Sequence, residues 1–243
     1  MSLLLIGLGA VLAGCIQSVT GFGAGIVNVL FLPAFYPLPQ CAGISGCGGQ
    51  TLAISIAWRY RGKISWHKIF FPLAVYLFVS TVCVRISLSA NVRILKMALG
   101  IALMLLGFYF LFVAGKFTFR EGFLPALICS ALGGMLGGFF SVGGPPLALY
   151  ILGSTKSKEE YLGTLNAIFS VTNTYLIILR IISGIISAEL LLPIAFLVAG
   201  ILLGGRIGSR IVDRLNVDVM KKIIYAFLVF AGLVTFLKSY FGA

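Results

Sequence analysis

Long apolar stretches, separated by short polar or glycine-rich connectors, follow one another along the whole chain. They lack the polar and apolar alternation of a barrel strand, and they are long enough for helices that cross a hydrocarbon core of roughly 30 Å. The pattern predicts an all-α integral membrane protein with five helical segments in each half. The predicted segments are 2–20, 23–36, 42–58, 69–88 and 94–114, followed by 122–140, 143–153, 161–179, 190–209 and 219–238.

The first two segments of each half meet at glycines and prolines, with no polar connector between them. We call residues 20–25 the first break and residues 140–146 the second break. The segment after each break is shorter than the roughly 20 residues that cross a bilayer upright. Each pair is therefore predicted to form a broken or re-entrant helix pair, which is tolerated at membrane depth only where protein or a cavity surrounds it.

An ordered series of residues recurs about 120 positions apart, as expected of an internal duplication. It predicts a first membrane repeat over 1–115 and a second over 116–243, joined in one transport domain. The matching pairs are Gly14 with Gly134, Arg59 with Arg180, Pro72 with Pro193, Arg85 with Arg206, and Asn91 with Asn216.

Basic residues flank the two repeats in opposite ways. Connector 59–68 is much more basic than its counterpart 180–189, whereas 206–222 is more basic than its counterpart 85–96. If each half crosses an odd number of times, 13 of the 18 Lys and Arg residues lie in the cytoplasm, which satisfies the positive-inside rule with both termini outside. Inverted repeats are therefore predicted. The basic residues left outside are Arg85, Arg93, Lys96, Arg180 and Lys238.

Composition agrees with a bilayer as the solvent. A mean hydropathy of +1.12, with 60% hydrophobic and 10% charged residues, leaves too little polar surface for a soluble globule. The net charge of +12 is explained by membrane topology, so no nucleic-acid partner is expected. We predict a multi-pass protein of the cell inner membrane or plasma membrane, with the lipid bilayer as its surroundings.

The residues that usually carry chemistry are sparse. Five cysteines are scattered without a Cys-x-x-Cys pair, and the single histidine, His67, lies in a basic connector, so neither a metal site, a cofactor nor an enzyme activity is expected. All six acidic residues fall in connectors or at segment ends. Because a cation carrier or proton relay needs a carboxylate inside the membrane, an anion is the expected cargo.

The breaks are the most specific local signal. Helices that begin after them point free N–H groups and a positive dipole end toward the interior, which suits an anion. Side chains added at Gly23 or Gly143 should then block binding without preventing membrane insertion. Polar residues nearby complete the predicted substrate site, which comprises Gly21, Phe22, Gly23, Ala24, Gly25, Asn28, Gln50, Thr51, Ser141, Val142, Gly143, Gly144, Pro145, Asn166, Thr172 and Asn173.

Other notable residues have competing interpretations. Arg85 and Arg206, near the ends of the fourth segments, either snorkel to the lipid interface, which is the default, or form a vestibule that attracts anions. Glycines at four-residue spacing favour close helix packing rather than a binding site. These spacings are Gly133 to Gly137, Gly134 to Gly138, Gly200 to Gly204 and Gly204 to Gly208.

The glycine-rich breaks, the Gly-Gly-Pro-x-Leu sequence at 143–147 and the Gly-Arg-Ile-Gly-Ser-Arg sequence at 205–210 resemble the sulfite exporter TauE/SafE family. The resemblance covers essentially the whole chain, although the first half departs from the family pattern at Ala24 and Gly25. It implies a secondary transporter, most simply an exporter, of small sulfur-containing anions such as sulfite or organosulfonates. An anion channel and a membrane-embedded thiol- or cofactor-handling enzyme are the alternatives. A proton as coupling ion and a homodimer are left open.

The charge pattern makes a prediction about topology. In a cysteine-free version of the protein, a cysteine at Ser65 should react only with a reagent on the cytoplasmic side, and one at Ser187 only with a reagent outside, because the first connector is strongly basic and the second is not. Labelling of intact cells with a membrane-impermeant maleimide measures this. If both positions react from the same side, the halves are not inverted.

Overall fold

The computed structural model describes residues 2–108 and 122–211, together with positions 229, 233, 236, 237 and 240. Nine α-helices and no strand occur within 2–211 as described, which confirms the all-α class there. Five of these helices are long and apolar enough to cross a membrane, so the protein is a multi-pass membrane protein. The helices are α1 Ser2–Thr20, α2 Ala24–Phe31, α3 Leu38–Arg59, α4 Phe70–Ser89, α5 Val92–Phe108, α6 Phe123–Phe140, α7 Gly144–Ser154, α8 Lys158–Ile182 and α9 Leu191–Ile211.

The predicted segments agree with these helices apart from their ends. The predicted segment 219–238, the end of 94–114 and the boundary between 115 and 116 lie outside the described residues, apart from a few isolated positions. The largest shifts are in α2, which ends at Phe31, and in α3 and α8. Helix α8 begins at Lys158, where Ser157 Oγ accepts a hydrogen bond of 3.1 Å from the Glu160 amide, and it continues to Ile182. The predicted segment begins only at residue 161, which leaves the charged first turn, Lys158 to Glu160, in a connector. Ser157 at the N-cap favours the earlier start that the structure has.

Helices α1 and α9 pack along each other at close range. A Cβ at Gly200 would overlap the Gly7 carbonyl oxygen, and one at Gly204 would overlap that of Val11. Each step of four residues along α9 thus matches a step of four along α1, so the two helices run parallel. The packing interpretation of these glycines is confirmed.

Helices α6 and α4 form the matching pair. A Cβ at Gly134 would lie 2.8 Å from the Tyr76 carbonyl oxygen, and one at Gly138 would lie 2.7 Å from that of Ser80. These helices also run parallel, with small residues again allowing the backbones to approach. The first helix of each half therefore packs on the fourth helix of the other half.

The two broken pairs start at opposite ends of the bundle. Helix α4 follows connector 60–69, which lies beside the start of α8, since the Ser65 amide donates to Thr164 Oγ1 at 3.0 Å. Helix α9 follows the far end of α8 through residues 183–190. Because α6 is parallel to α4 and α1 is parallel to α9, α6 and α1 enter from opposite ends.

Connectors 60–69 and 155–157 lie together at what we call the basic end of the bundle. Lys68 Nζ is 2.9 Å from Glu160 Oε1, which also accepts from Ser65 Oγ at 2.6 Å. Lys68 further donates to the Ser154 carbonyl oxygen, and the Lys156 amide donates to Glu160 Oε2 at 2.9 Å. This is the only ion pair within the described ranges, and it ties together two connectors that the charge pattern assigned to the same side of the membrane.

This ion pair should stabilise the basic end. We expect Glu160→Gln to lower the free energy of unfolding by about 1–2 kcal/mol, because it removes the charge that Lys68 and Ser65 bond. Glu159→Gln is the matched control, since the exposed Glu159 lies in the same helical turn and contributes equally to the helix dipole. Thermal unfolding in detergent measures both variants, and equal melting temperatures would contradict the assigned role of the pair.

Candidate functional site

The first break depends on glycine. Helix α1 ends at Thr20, and the chain turns through Gly21 and Gly23, whose φ angles of 81° and 113° lie where side chains are disfavoured. The Thr20 hydroxyl donates to the Phe22 carbonyl oxygen, and the Thr20 carbonyl accepts from the Tyr161 hydroxyl at 3.1 Å. Helix α2 then begins at Ala24.

The second break turns at a serine. Ser141 has a φ of 56° and is the only non-glycine residue with a positive φ in the described part of the chain. Its amide donates to the Gly137 carbonyl at 3.0 Å, which closes the end of α6. Helix α7 then starts at Gly144 with Pro145 in its first turn, where a missing N–H costs little.

The two breaks are in direct contact. A Cβ at Gly25 of the first break would overlap the Ser141 carbonyl oxygen of the second. In the reverse direction, a Cβ at Gly144 would lie 2.8 Å from Phe22 Cβ. Two stretches of irregular backbone therefore meet inside the protein, where other helices surround them.

A cavity of about 50 Å³ lies at this contact. Helices α1, α3, α4 and α8 complete its wall beside the two breaks. Seven of the predicted residues line it, namely Phe22, Gly23, Gly25, Ser141, Gly143, Gly144 and Asn173. The others lining it were outside the predicted set, and they are Gln17, Ser45, Gly46, Gly49, Tyr76 and Phe169.

The polar groups of the wall are neutral. The Tyr76 hydroxyl and the Asn173 amide have no hydrogen-bond partner among the described residues, so both can donate to a bound molecule. Ser45 Oγ accepts from Asn28 Nδ2 at 3.0 Å and keeps its own proton to donate. Gln17 Nε2 donates to the Gly49 carbonyl at 3.3 Å. No Asp or Glu lines the cavity.

Arg180 lies directly behind this wall, with only 1% of its surface exposed. Its Nη2 donates to the carbonyl oxygens of Gly137 and Gly138 at 3.0 and 2.9 Å. Its Nη1 donates to Ser141 Oγ at 3.1 Å and to the Ala42 carbonyl at 3.2 Å. The guanidinium thus binds the last carbonyls of α6, which carry the negative end of the helix dipole.

The sequence-based assignment of Arg180 to the connector 180–189 was wrong. Helix α8 continues past the predicted end at residue 179, so Arg180 belongs to the helix and not to a loop. Its repeat partner, Arg59, is exposed at the end of α3. A signal was present in the sequence, because Arg180 follows Leu-Ile-Ile-Leu and precedes Ile-Ile, without the polar neighbours of a connector.

Some predicted polar residues lie elsewhere. Gln50 Nε2 joins α3 to α8 by donating to the Ser170 carbonyl at 3.0 Å and to Thr174 Oγ1 at 2.6 Å. Thr51 donates to the Gly48 carbonyl at 2.8 Å within its own helix. Thr172 is buried and its hydroxyl faces the Phe169 carbonyl. These three residues contribute to helix structure and packing, and none of them lines the cavity.

The remaining predicted residues surround the cavity or lie on the surface. Asn28 and Asn166 are fully buried, and Asn166 Nδ2 donates to the Leu162 carbonyl at 2.9 Å. Gly21, Ala24, Val142 and Pro145 shape the breaks without lining the cavity. Arg85 and Arg206 are both exposed on their helices, which favours snorkelling over a vestibule.

The model of the family described as sulfite exporter TauE/SafE matches residues 6–235 of the 243. The chain belongs to this family. TauE/SafE proteins are membrane transporters and not enzymes, which agrees with the apolar helices and the broken pairs. Searches of curated proteins and of solved structures find no match.

Glycine substitutions at the TauE/SafE breaks test packing as well as binding. A Cβ at Gly143 would overlap the Tyr76 hydroxyl and the Gly133 carbonyl oxygen. Valine at Gly143 would therefore disturb the helix contact together with the cavity, and it cannot separate the two effects as the sequence suggested.

The contact between the breaks predicts a large effect at Gly25. We expect Gly25→Ala to lower the free energy of unfolding by about 1–3 kcal/mol, because the methyl group would overlap the Ser141 carbonyl. Gly7→Ala is the control, since a Cβ there meets no atom within 4 Å and the residue is also helical. Thermal unfolding in detergent is the measurement, and a Gly25→Ala protein as stable as Gly7→Ala would contradict the contact.

Proposed function

We propose that this TauE/SafE protein is a secondary transporter that exports small sulfur-containing anions, such as sulfite or organosulfonates, and that the cavity between the breaks binds them. One observation carries the proposal: the cavity is lined by neutral donors and by the start of two helices, and no carboxylate lies in its wall. Helix N-termini and neutral donors favour an anion over a cation.

The size and polarity of the cavity support a small oxyanion. One water molecule needs roughly 10–15 Å³ of such space, so about 50 Å³ suits a ligand of a few non-hydrogen atoms. The Tyr76 hydroxyl, the Ser45 hydroxyl and the Asn173 amide can replace part of its hydration shell. Neutral donors bind less tightly than charged ones, so the ion can also leave, as transport requires.

We further propose that residues 1–115 and 116–243 are inverted repeats that rock about the breaks, with both termini outside. The helix packing supports this. The first helix of each half packs on the fourth helix of the other half, α1 on α9 and α6 on α4, and α1 and α6 enter from opposite ends of the bundle. Substrate sites of inverted-repeat transporters lie where discontinuous helices meet near the centre of the membrane. The contact of Gly25 with Ser141 has that character.

Gly49 offers a test of the site. A Cβ there would lie 3.9 Å from both Asn173 Nδ2 and Gln17 Oε1, which is ordinary contact, so Gly49→Ala fills part of the cavity without a clash. We expect sulfite efflux from proteoliposomes to fall about tenfold or more, since one methyl-sized misfit in a pocket is worth about 1–3 kcal/mol. Folded yield should equal that of the parent, because alanine favours a helix over glycine.

Gly7→Ala, on the same assay, should transport like the parent. The parent protein should also transport thiosulfate, sulfoacetate or both. Its transport rate should fall when no ion gradient is present. If Gly49→Ala transports as fast as an active parent, the site lies elsewhere. If the parent moves none of these anions, the proposed substrate class is wrong.

A further inference from the structure

We propose that Arg180 is a buried positive charge that strengthens the preference of this cavity for anions, and that it acts by its electric field and by holding Ser141 and the second break, without touching the ligand. The inference rests on the proposed function and extends it, because it adds a named charged residue to the helix N-termini and neutral donors of the site. Arg180 is thus a positioning residue.

The first support is that the buried charge of Arg180 lacks an ionised partner. Arg180 is 1% exposed, and its four hydrogen bonds to described residues all go to neutral oxygens, three of them backbone carbonyls. Arginine stays protonated in proteins, so the positive charge remains. A buried charge without an opposite partner is costly, and Arg180 has no carboxylate partner in the described ranges. An anion in the adjacent cavity would offset that cost.

The second support is proximity. Gly46 lines the cavity, and a Cβ at Gly46 would lie 3.3 Å from Arg180 Nη1 and 3.4 Å from Ser141 Oγ. The absence of a side chain at Gly46 therefore brings the guanidinium within about one atom's width of the cavity wall. At this range, in surroundings of low dielectric constant, the charge acts strongly on a bound ion.

The third support is the way the charge is held. Ser141 Oγ accepts from Arg180 Nη1 and donates to the Ala42 carbonyl at 2.7 Å, so the hydroxyl is oriented by both partners. Nη2 meanwhile holds two carbonyls at the end of α6. The planar guanidinium can make these bonds together, whereas a lysine supplies only a point charge. The same hydrogen bonds therefore hold the backbone of the second break and the position of the positive charge.

The repeat supplies a matched control. Arg59 is the sequence counterpart of Arg180, but it is exposed at the end of α3 and does not line the cavity. Arg59→Gln and Arg180→Gln therefore remove the same charge from equivalent positions of the two halves. Only the second should change the site.

The experiment compares methanesulfonate with methanesulfonamide, which have nearly the same shape but differ in charge. Affinities for purified full-length protein in detergent are measured by calorimetry or ligand-induced thermal shift. We expect the parent to bind the anion about tenfold or more tightly than the neutral sulfonamide. Hydrogen bonds to a charged ligand and its attraction to a nearby positive charge are strong enough to give this difference in affinity. Arg180→Gln should lower this affinity ratio several-fold, because only the helix N-termini and neutral donors remain, Arg180→Lys should weaken both ligands but keep most of the preference, and Arg59→Gln should match the parent.

A purely structural role would give another result. If Arg180→Gln weakens both ligands equally and keeps the parent's ratio, the inference is overturned while the proposed function stands. If the parent binds neither methanesulfonate nor sulfite, the proposed function fails and this inference fails with it.

A second measurement keeps Arg180 in place, in case Arg180→Gln gives too little folded protein. Ser141→Asp would supply an internal carboxylate to Nη1, and Ser141→Asn is its neutral match; both residue types tolerate the left-handed backbone found there. If the buried charge lacks an ionised partner, Ser141→Asp should melt several degrees above Ser141→Asn. A lower melting temperature for Ser141→Asp would overturn the inference.

Discussion

The structure depends on one constraint: a helix broken inside a membrane exposes backbone groups that no water can bind. The chain satisfies them with its own side chains. At the second break, Arg180 binds the last carbonyls of α6, while at the first break the Tyr161 hydroxyl binds the Thr20 carbonyl. Arg180 and Tyr161 thereby bind carbonyl oxygens at the C-terminal ends of α6 and α1, while the positive dipole ends of α2 and α7 lie at the two breaks.

Close helix packing makes such breaks tolerable. Glycines along α9 and α6 let these helices approach α1 and α4 until backbone meets backbone, so each broken pair is held along one full-length helix. That arrangement presses Gly25 against Ser141 and brings the two breaks together. Because irregular backbone packs less completely than regular helices, the cavity lies at the place where the breaks meet.

Positions that match between the two halves of the sequence differ in their structural surroundings. Arg59 and Arg180 match in the sequence, yet one is exposed at a helix end and the other is buried behind the cavity. The polar wall is similarly unequal, with Gln17 and Ser45 from the first half but Asn173 from the second. Residues that match in the sequence can therefore differ in burial and in the groups that they contact.

The sequence by itself determined the helical class, the approximate helix positions, both breaks and the small-residue packing seams, because these follow from local periodicity and from the backbone preferences of glycine and proline. Only the tertiary structure decided which side chains reach the cavity. Tyr76 comes from α4, far along the chain from either break, and Gly49 matters because of what lies opposite it. Arg180 shows the physical reason most clearly: a basic residue near a helix end snorkels or becomes buried according to its neighbours, which are fixed by contacts between helices distant in sequence.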